Sequence, residues 1–163
     1  MIETKGPVSF GPLWFYGGVM TAPSSTGPSF DDIAGDFAFI DDWDEKYRYL
    51  IDLGERLAPL PDEAHNDRTK VRGCASQVWL EIAWNDGNIL RMRGDSDAAI
   101  VKGLVAIMIA LYDGQSRDDV LAIDAKAKLA ELDLEDHITP QRSNGVASMI
   151  ARIRAEAEAR RGD

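Results

Sequence analysis

Lys70-Val71-Arg72-Gly73-Cys74-Ala75-Ser76-Gln77-Val78-Trp79-Leu80 runs on through Glu81-Ile82-Ala83-Trp84 into Asn85-Asp86-Gly87-Asn88. From Ser76 to Trp84 the residue types alternate. Val78, Leu80, Ile82 and Trp84 fall on one face, and Gln77, Trp79, Glu81 and Ala83 on the other. A period of two predicts a half-buried strand. Asn85-Asp86-Gly87-Asn88 then predicts a tight hairpin, because Asp-Gly tolerates the positive φ of a type I′ turn. Ile89 to Arg93 reads as the returning strand. At least two antiparallel strands therefore follow directly from Cys74, the single cysteine of the chain, which sits on a short loop feeding the first of them.

Helices are predicted on either side. Ser29 or Asp31 can cap a short one carrying Phe30, Ile33, Phe37 and Ile40. Asp42 with Glu45 three residues on is a capping-box-like pair. Trp43, Tyr47, Leu50, Ile51, Gly54 and Leu57 then recur at helical spacing, up to Pro59 and Pro61. Downstream of the strands, Asp95-Ser96-Asp97 opens a helix with Ser96 as its cap. From Ala98 to Tyr112 this helix carries one charge, Lys102, so it belongs in the core. Ser116 with Asp119 starts another short helix, and Ala125 to Leu132 forms a further one. Thr139-Pro140 marks a turn, and Ser143 is the expected cap of a last helix with a Val146, Met149, Ile150, Ile153, Ala157 stripe. The predicted architecture is α+β, a small antiparallel sheet flanked by helices mainly on one face.

The totals bound the function. A chain of 163 residues is enough for one domain with a real core. Its net charge of −10 lacks the basic footprint that nucleic acid or an anionic membrane requires. One cysteine cannot form an internal disulfide, and with only His65 and His137 beside it no ligand spacing suggests a metal site. Residues 1–28, rich in Gly, Pro, Ser and Thr around Leu13-Trp14-Phe15-Tyr16, read as a flexible N-terminal extension ahead of a domain at 29–163. Glycines and prolines break their apolar run, which suits neither a signal peptide nor a membrane span.

A lone cysteine is often a small buried hydrophobe. Three features argue for chemistry at Cys74. Gly73 permits unusual backbone angles. Lys70 and Arg72 bring positive charge, which favours the reactive thiolate. The loop lies at a strand entrance, where functional groups often sit. A Cys-His hydrolase would need a base at the sulfur, for which His137 beside Asp136 is the better candidate. A dithiol redox role lacks a second cysteine. Accepting a group from one protein and passing it to another needs only one thiol.

Four blocks of sequence carry a resemblance. They are Trp43-Asp44-Glu45-Lys46-Tyr47, Gly73-Cys74-Ala75-Ser76-Gln77-Val78-Trp79, the run Gly94 to Leu104, and His137-Ile138-Thr139-Pro140-Gln141-Arg142-Ser143-Asn144-Gly145. In order and over about Phe37 to Ala155, they resemble the SufE family, sulfur acceptors that work with cysteine desulfurases in iron–sulfur cluster assembly. The resemblance implies a helix-flanked antiparallel sheet of SufE/IscU-like fold. It also implies a cytoplasmic sulfur carrier rather than an enzyme with its own turnover, and no cofactor in the chain. Its partners would be a pyridoxal-phosphate cysteine desulfurase of the SufS type, which the carrier stimulates, and a downstream iron–sulfur scaffold complex. Cys74 would become a persulfide, with Asp97 and Arg142 around the acceptor loop and partner surface, together with Lys70, Arg72, Gly73 and Gln77. Arg142 is expected to favour the thiolate or to pair with Asp97, and Trp79 to wall the thiol pocket. The loop is expected to shelter Cys74 until a partner docks. A regulator that binds the desulfurase without taking sulfur, and a Cys/His hydrolase, remain alternatives. A homodimer also stays open, since no helix shows a heptad seam.

Overall fold

The computed structural model describes residues 27–134 and 136–160; the reading of residues 1–26 as an extension lies outside them. Strands β1 (Val78–Trp84) and β2 (Leu90–Ser96) form the antiparallel hairpin that the alternation predicts, in a register that opposes Leu80 to Gly94 and Glu81 to Arg93. Val78, Leu80, Leu90 and Met92 are buried. β2 runs three residues past the expected Arg93. The turn also differs from expectation, because Asn88 takes the positive φ, at 58°, rather than Gly87. Asn85 makes this possible: its carboxamide oxygen accepts from the Gly87 and Ile89 N–H groups, and its carbonyl from Asn88 N–H, which closes an ordinary turn before Asn88.

Two further segments extend the sheet by isolated bridges. Lys70 pairs with Trp79, where Val71 N–H donates to Val78 O and Leu80 N–H to Thr69 O, both at 2.8 Å. Ile89 pairs with Ser116 at the other edge. The first bridge closes the base of a loop, Arg72 to Gln77, with Cys74 inside it.

Helix α1 (Phe30–Phe39) starts at a complete capping box: Ser29 Oγ accepts from Asp32 N–H and the Asp32 carboxylate from Ser29 N–H. Helix α2 (Trp43–Glu55) has Asp42 at its N-cap, but the expected box with Glu45 does not form; no side-chain cap bond is made there. It ends at Glu55, ahead of Pro59. Helix α3 (Ala99–Tyr112) is buried over most of its surface, as its apolar sequence requires, and packs against β2, α1 and α2. Ser96 is not its cap. Ala98 is, while Ser96 ends β2 with its hydroxyl donating to Gln77 O at 2.7 Å and accepting from Ala98 N–H. Short helices α4 (Arg117–Ala122) and α5 (Ala125–Ala130) follow, capped by Ser116 and Asp124.

Helix α6 (Pro140–Ala159) begins earlier than a Ser143 cap would allow. Thr139 Oγ1 accepts from Arg142 N–H, and Pro140 fills the first helical position, where a missing N–H costs nothing. Its Val146, Met149, Ile153 and Ala157 stripe is buried, and the helix reaches both α3 and β1. Among the described residues no helix is long and apolar enough to cross a membrane.

Candidate functional site

Cys74 is half-buried, and its sulfur turns towards α6, 3.7 Å from the Gly145 carbonyl oxygen. Gly145 gives it room, since a Cβ there would stand 3.3 Å from Sγ. The sulfur borders a cavity of about 20 Å³, close to the space of one water, whose floor is Val101, Leu104 and Met149. Gln141 and Arg142 complete its rim from the start of α6. Gly73 has φ of +91°, in the left-handed region, and a Cβ at this position would lie 2.5 Å from Ser148 Oγ on α6. The backbone conformation therefore favours glycine before the thiol, and any Cβ there would also have to displace the Ser148 hydroxyl.

The far end of the loop is clamped. Asp97 Oδ1 accepts from Gln77 N–H at 3.1 Å, Asp97 N–H donates to Gln77 O, and Ser96 Oγ donates to that same oxygen. Lys70 Nζ reaches Gln77 Oε1 at 3.4 Å across the loop base. Arg152 supports the near end by donating to the Lys70 carbonyl at 3.1 Å and to the Arg68 carbonyl. An Asp97→Ala chain loses one of these clamps. A lost hydrogen bond of about 1 kcal/mol shifts a local opening equilibrium by roughly fivefold. Cys74 alkylation by iodoacetamide is accordingly expected to speed up by about that factor with little change in melting temperature; an unchanged rate would mean that Asp97 does not hold the loop.

Several expectations are corrected by this geometry. Burial in an apolar pocket pushes the Cys74 thiol up, and Lys70 and Arg72 do not draw it down. Arg142 and Asp97 do not pair; Asp97 is taken up with Gln77. Trp79 does not wall the cavity. It faces the other way and meets the His65 ring edge-on, with ring centroids 4.6 Å apart. His137 does not approach the sulfur either: its ring stacks on Trp43 at 3.8 Å, and Tyr47 donates to its carbonyl. The cavity lining contains no histidine and no carboxylate, so the hydrolase alternative has no base at the thiol. Among the described residues no cluster of His, Cys, Asp or Glu could hold a metal.

Sequence reasoning named Gly145 and His65 but assigned neither a place at the site. Gly145 had a usable signal, since a glycine inside a helix costs about 1 kcal/mol against alanine and so needs a reason. His65 had none. Its Nδ1 lies 3.0 Å from Pro61 O and its Nε2 2.7 Å from Asp95 Oδ2, and Lys102 Nζ lies 3.3 Å from Asp95 Oδ1. Two acceptors face the two ring nitrogens, an arrangement that favours the doubly protonated ring. Burial lowers the affinity of His65 for its second proton, but the Asp95 and Pro61 bonds outweigh it and raise the pKa above its ordinary value. A raised folded-state pKa stabilises below the unfolded value of about 6.5, and that contribution is lost as pH climbs through the folded value. His65→Ala is therefore expected to cost up to about 1 kcal/mol at pH 6. The gap from the parent should narrow as pH rises above neutrality in paired thermal melts. A gap that widens with pH would contradict the charged pair.

Comparison with known proteins identifies the family and the fold. A family model described as SufE, Fe-S metabolism associated domain, matches residues 31–157. An uncharacterised SufE-like protein of Rhizobium meliloti is 45% identical over 135 residues, covering 81% of this chain and 96% of the relative. Another from Rhizobium etli is 46% identical over 136 residues, covering 81% and 91%. The solution structure of a hypothetical protein from Thermus thermophilus superposes with a TM-score of 0.67, at 17% identity, over 85% of this chain and all of that one, which shows a shared fold. With most of its length matched by the family model and by both relatives, the chain belongs to the SufE family.

Proposed function

We propose that residues 29–163 form a sulfur-acceptor domain, cytoplasmic and without turnover of its own. In this reading Cys74 takes sulfur from a pyridoxal-phosphate cysteine desulfurase, stimulates that enzyme, and passes the sulfur on for iron–sulfur cluster assembly. Residues 1–28 are an extension to it. The observation that carries the reading is the pocket: one thiol, turned inward over an apolar floor, with space for one further small atom and no base beside it. Such a site suits holding sulfur better than hydrolysing a bond.

The chemistry balances without an external oxidant. The Cys74 thiolate attacks the outer sulfur of the donor's persulfide. A new S–S bond forms at Sγ, the donor's S–S bond breaks, and its electron pair leaves on the donor cysteine as thiolate. Cys74 then carries the persulfide, and a second attack by the recipient releases it. Because burial pushes the resting thiol up, the free chain is a poor nucleophile, and docking must open the loop to water or to partner groups before transfer. In this reading Gly73 lets the loop turn, Gln77 and Asp97 pin its end, and Lys70, Arg72 and Arg142 face the partner.

The test is to incubate the chain with the desulfurase and L-cysteine and to weigh it intact without reductant. Sulfur adducts on Cys74, mapped by peptide and removed by dithiothreitol, are expected. Stimulated desulfurase turnover with no adduct would instead favour a regulator that takes no sulfur.

A further inference from the structure

Helix α6 meets the Cys74 loop and the segment leading into it along one face. Gly145, Ser148 and Arg152 follow one another at helical spacing, so they stack on that face in successive turns. Gly145 lies against Sγ, and its carbonyl faces the thiol. Ser148 Oγ closes the space beside Gly73. Arg152 donates to the Lys70 carbonyl at 3.1 Å and to the Arg68 carbonyl. As the chain runs from Arg68 towards Cys74, its contacts therefore step back along α6 from Arg152 to Gly145.

The segment ahead of the loop is held from two sides. Thr69 O accepts from Leu80 N–H and Val71 N–H donates to Val78 O, so these groups face β1. The carbonyls on either side of Thr69, those of Arg68 and Lys70, turn to the Arg152 guanidinium instead. Arg152 Nε holds the Glu156 carboxylate at 3.3 Å, which fixes the guanidinium from one helical turn further on. A guanidinium presents its donors in a rigid fork, and a bond from a charged donor is roughly twice as strong as a neutral one. Arg152 does this from outside the lining of the cavity at Cys74.

We propose that Arg152 is a positioning residue for Cys74: by tying the Arg68 and Lys70 carbonyls to α6, it sets Arg72 as the point from which the loop swings and keeps the resting sulfur turned inward against Gly145. The inference rests on the sulfur-acceptor reading and adds regulation of that same site. Without the guanidinium, the segment keeps β1 but loses α6, and the freedom of the loop extends upstream. The sulfur then leaves its floor of Val101, Leu104 and Met149 more often. Burial is what pushes the thiol up, so the exposed fraction also titrates lower.

The experiment measures iodoacetamide alkylation of Cys74 against pH in the full chain, with amide exchange and melting curves on the same samples. Arg152→Ala is compared with Arg152→Lys and Glu156→Gln. Arg152→Ala is expected to alkylate about tenfold faster, since it loses two bonds from a charged donor where Asp97→Ala loses one bond. Its alkylation profile should also move to lower pH. The Val71 and Leu80 amides, which hold the segment to β1, should exchange faster while those of α3 do not change. Arg152→Lys keeps a cation but no fork, and its rate should fall between Arg152→Ala and the parent. Glu156→Gln keeps both carbonyl bonds and should stay within about twofold of the parent. A parental alkylation rate and pH profile in Arg152→Ala, at whatever melting temperature, would overturn the proposal. So would faster exchange spread equally over the segment and α3, which is a general loosening of the fold. If Arg152→Ala does not fold, Arg152→Lys decides: faster alkylation with unchanged α3 exchange supports the proposal, and a parental rate overturns it. Incubation of the parent with desulfurase and L-cysteine separates the two readings. If it takes no sulfur, the acceptor reading fails, while the alkylation comparison still decides what Arg152 does.

Discussion

A Cys74→Ser chain is expected to take up no sulfur from a desulfurase while folding almost as the parent does. A serine hydroxyl cannot attack a persulfide to leave a stable S–S linkage, so the loss should be complete rather than graded. The fold should tolerate the change because the position is half-buried and the Gly145 carbonyl that faces the thiol can accept from the hydroxyl. That hydrogen bond offsets most of the cost of placing a more polar atom over Val101, Leu104 and Met149, leaving a net change within about 1 kcal/mol. Intact mass after incubation with desulfurase and L-cysteine, beside a melting curve of the same sample, measures both. A sulfur adduct on the serine variant would sink the assignment of Cys74, since no other cysteine is present. A variant that fails to fold would show that the thiol is a packing element after all.

Gly103→Ala is expected to destabilise the chain strongly, against the usual preference of helices for alanine. Helices α2 and α3 cross at backbone contact. A Cβ on Gly103 would fall onto the Leu50 carbonyl, and one on Gly54 would lie 2.8 Å from Gly103 N. Both obstacles are backbone, which cannot rotate away, so the helices must separate and the core around Leu50 and Leu104 must loosen. Overpacking of this kind costs about 1–3 kcal/mol, more than the roughly 1 kcal/mol at most that alanine gains in a helix. With a net loss of about 1–2 kcal/mol, the melting temperature of a chain of this size should fall by roughly 2–8 °C. Gly35, in the middle of α1, is the internal control, because a Cβ there meets nothing within 4 Å. Gly35→Ala should raise the melting temperature slightly. Opposite signs at the two glycines are the expected result, and the same sign at both would mean that the crossing is not sterically closed.

These cases show which information the chain displays locally. The alternation from Val78 to Trp84 and the apolar run of α3 report burial directly, because a side chain's surroundings repeat with the period of its own backbone. The sheet, its neighbouring helices and the loop placement of Cys74 were legible for that reason. Caps were harder. Ser143 and Ser96 have the right side chains in nearly the right places, but the Thr139-Pro140 pair and the continued pairing of β2 decided the boundaries. The site was legible at Cys74 and Gly73, and Gln77 and Asp97 came from the family resemblance. What gave the thiol its surroundings was not legible. Gly145 is 71 residues from Cys74, and Asp95 is 30 from His65. Contacts at such separations leave no period behind. Lys70 and Arg72 are near the thiol in sequence, but proximity along a chain is not a direction in space, and burial settled the thiol's state instead.

The loop that carries Cys74 is fastened at Val71 by the Val71–Val78 bond and at Gln77 by Ser96 and Asp97. With both ends fixed close together, the roughly six peptide units between them have a contour of about 20 Å, so the tip can travel no more than about 10 Å even when fully drawn out. The chain is thus a short arm on a stiff shoulder, and under the proposed sulfur transfer most of the distance between two cysteines must be crossed by the other protein.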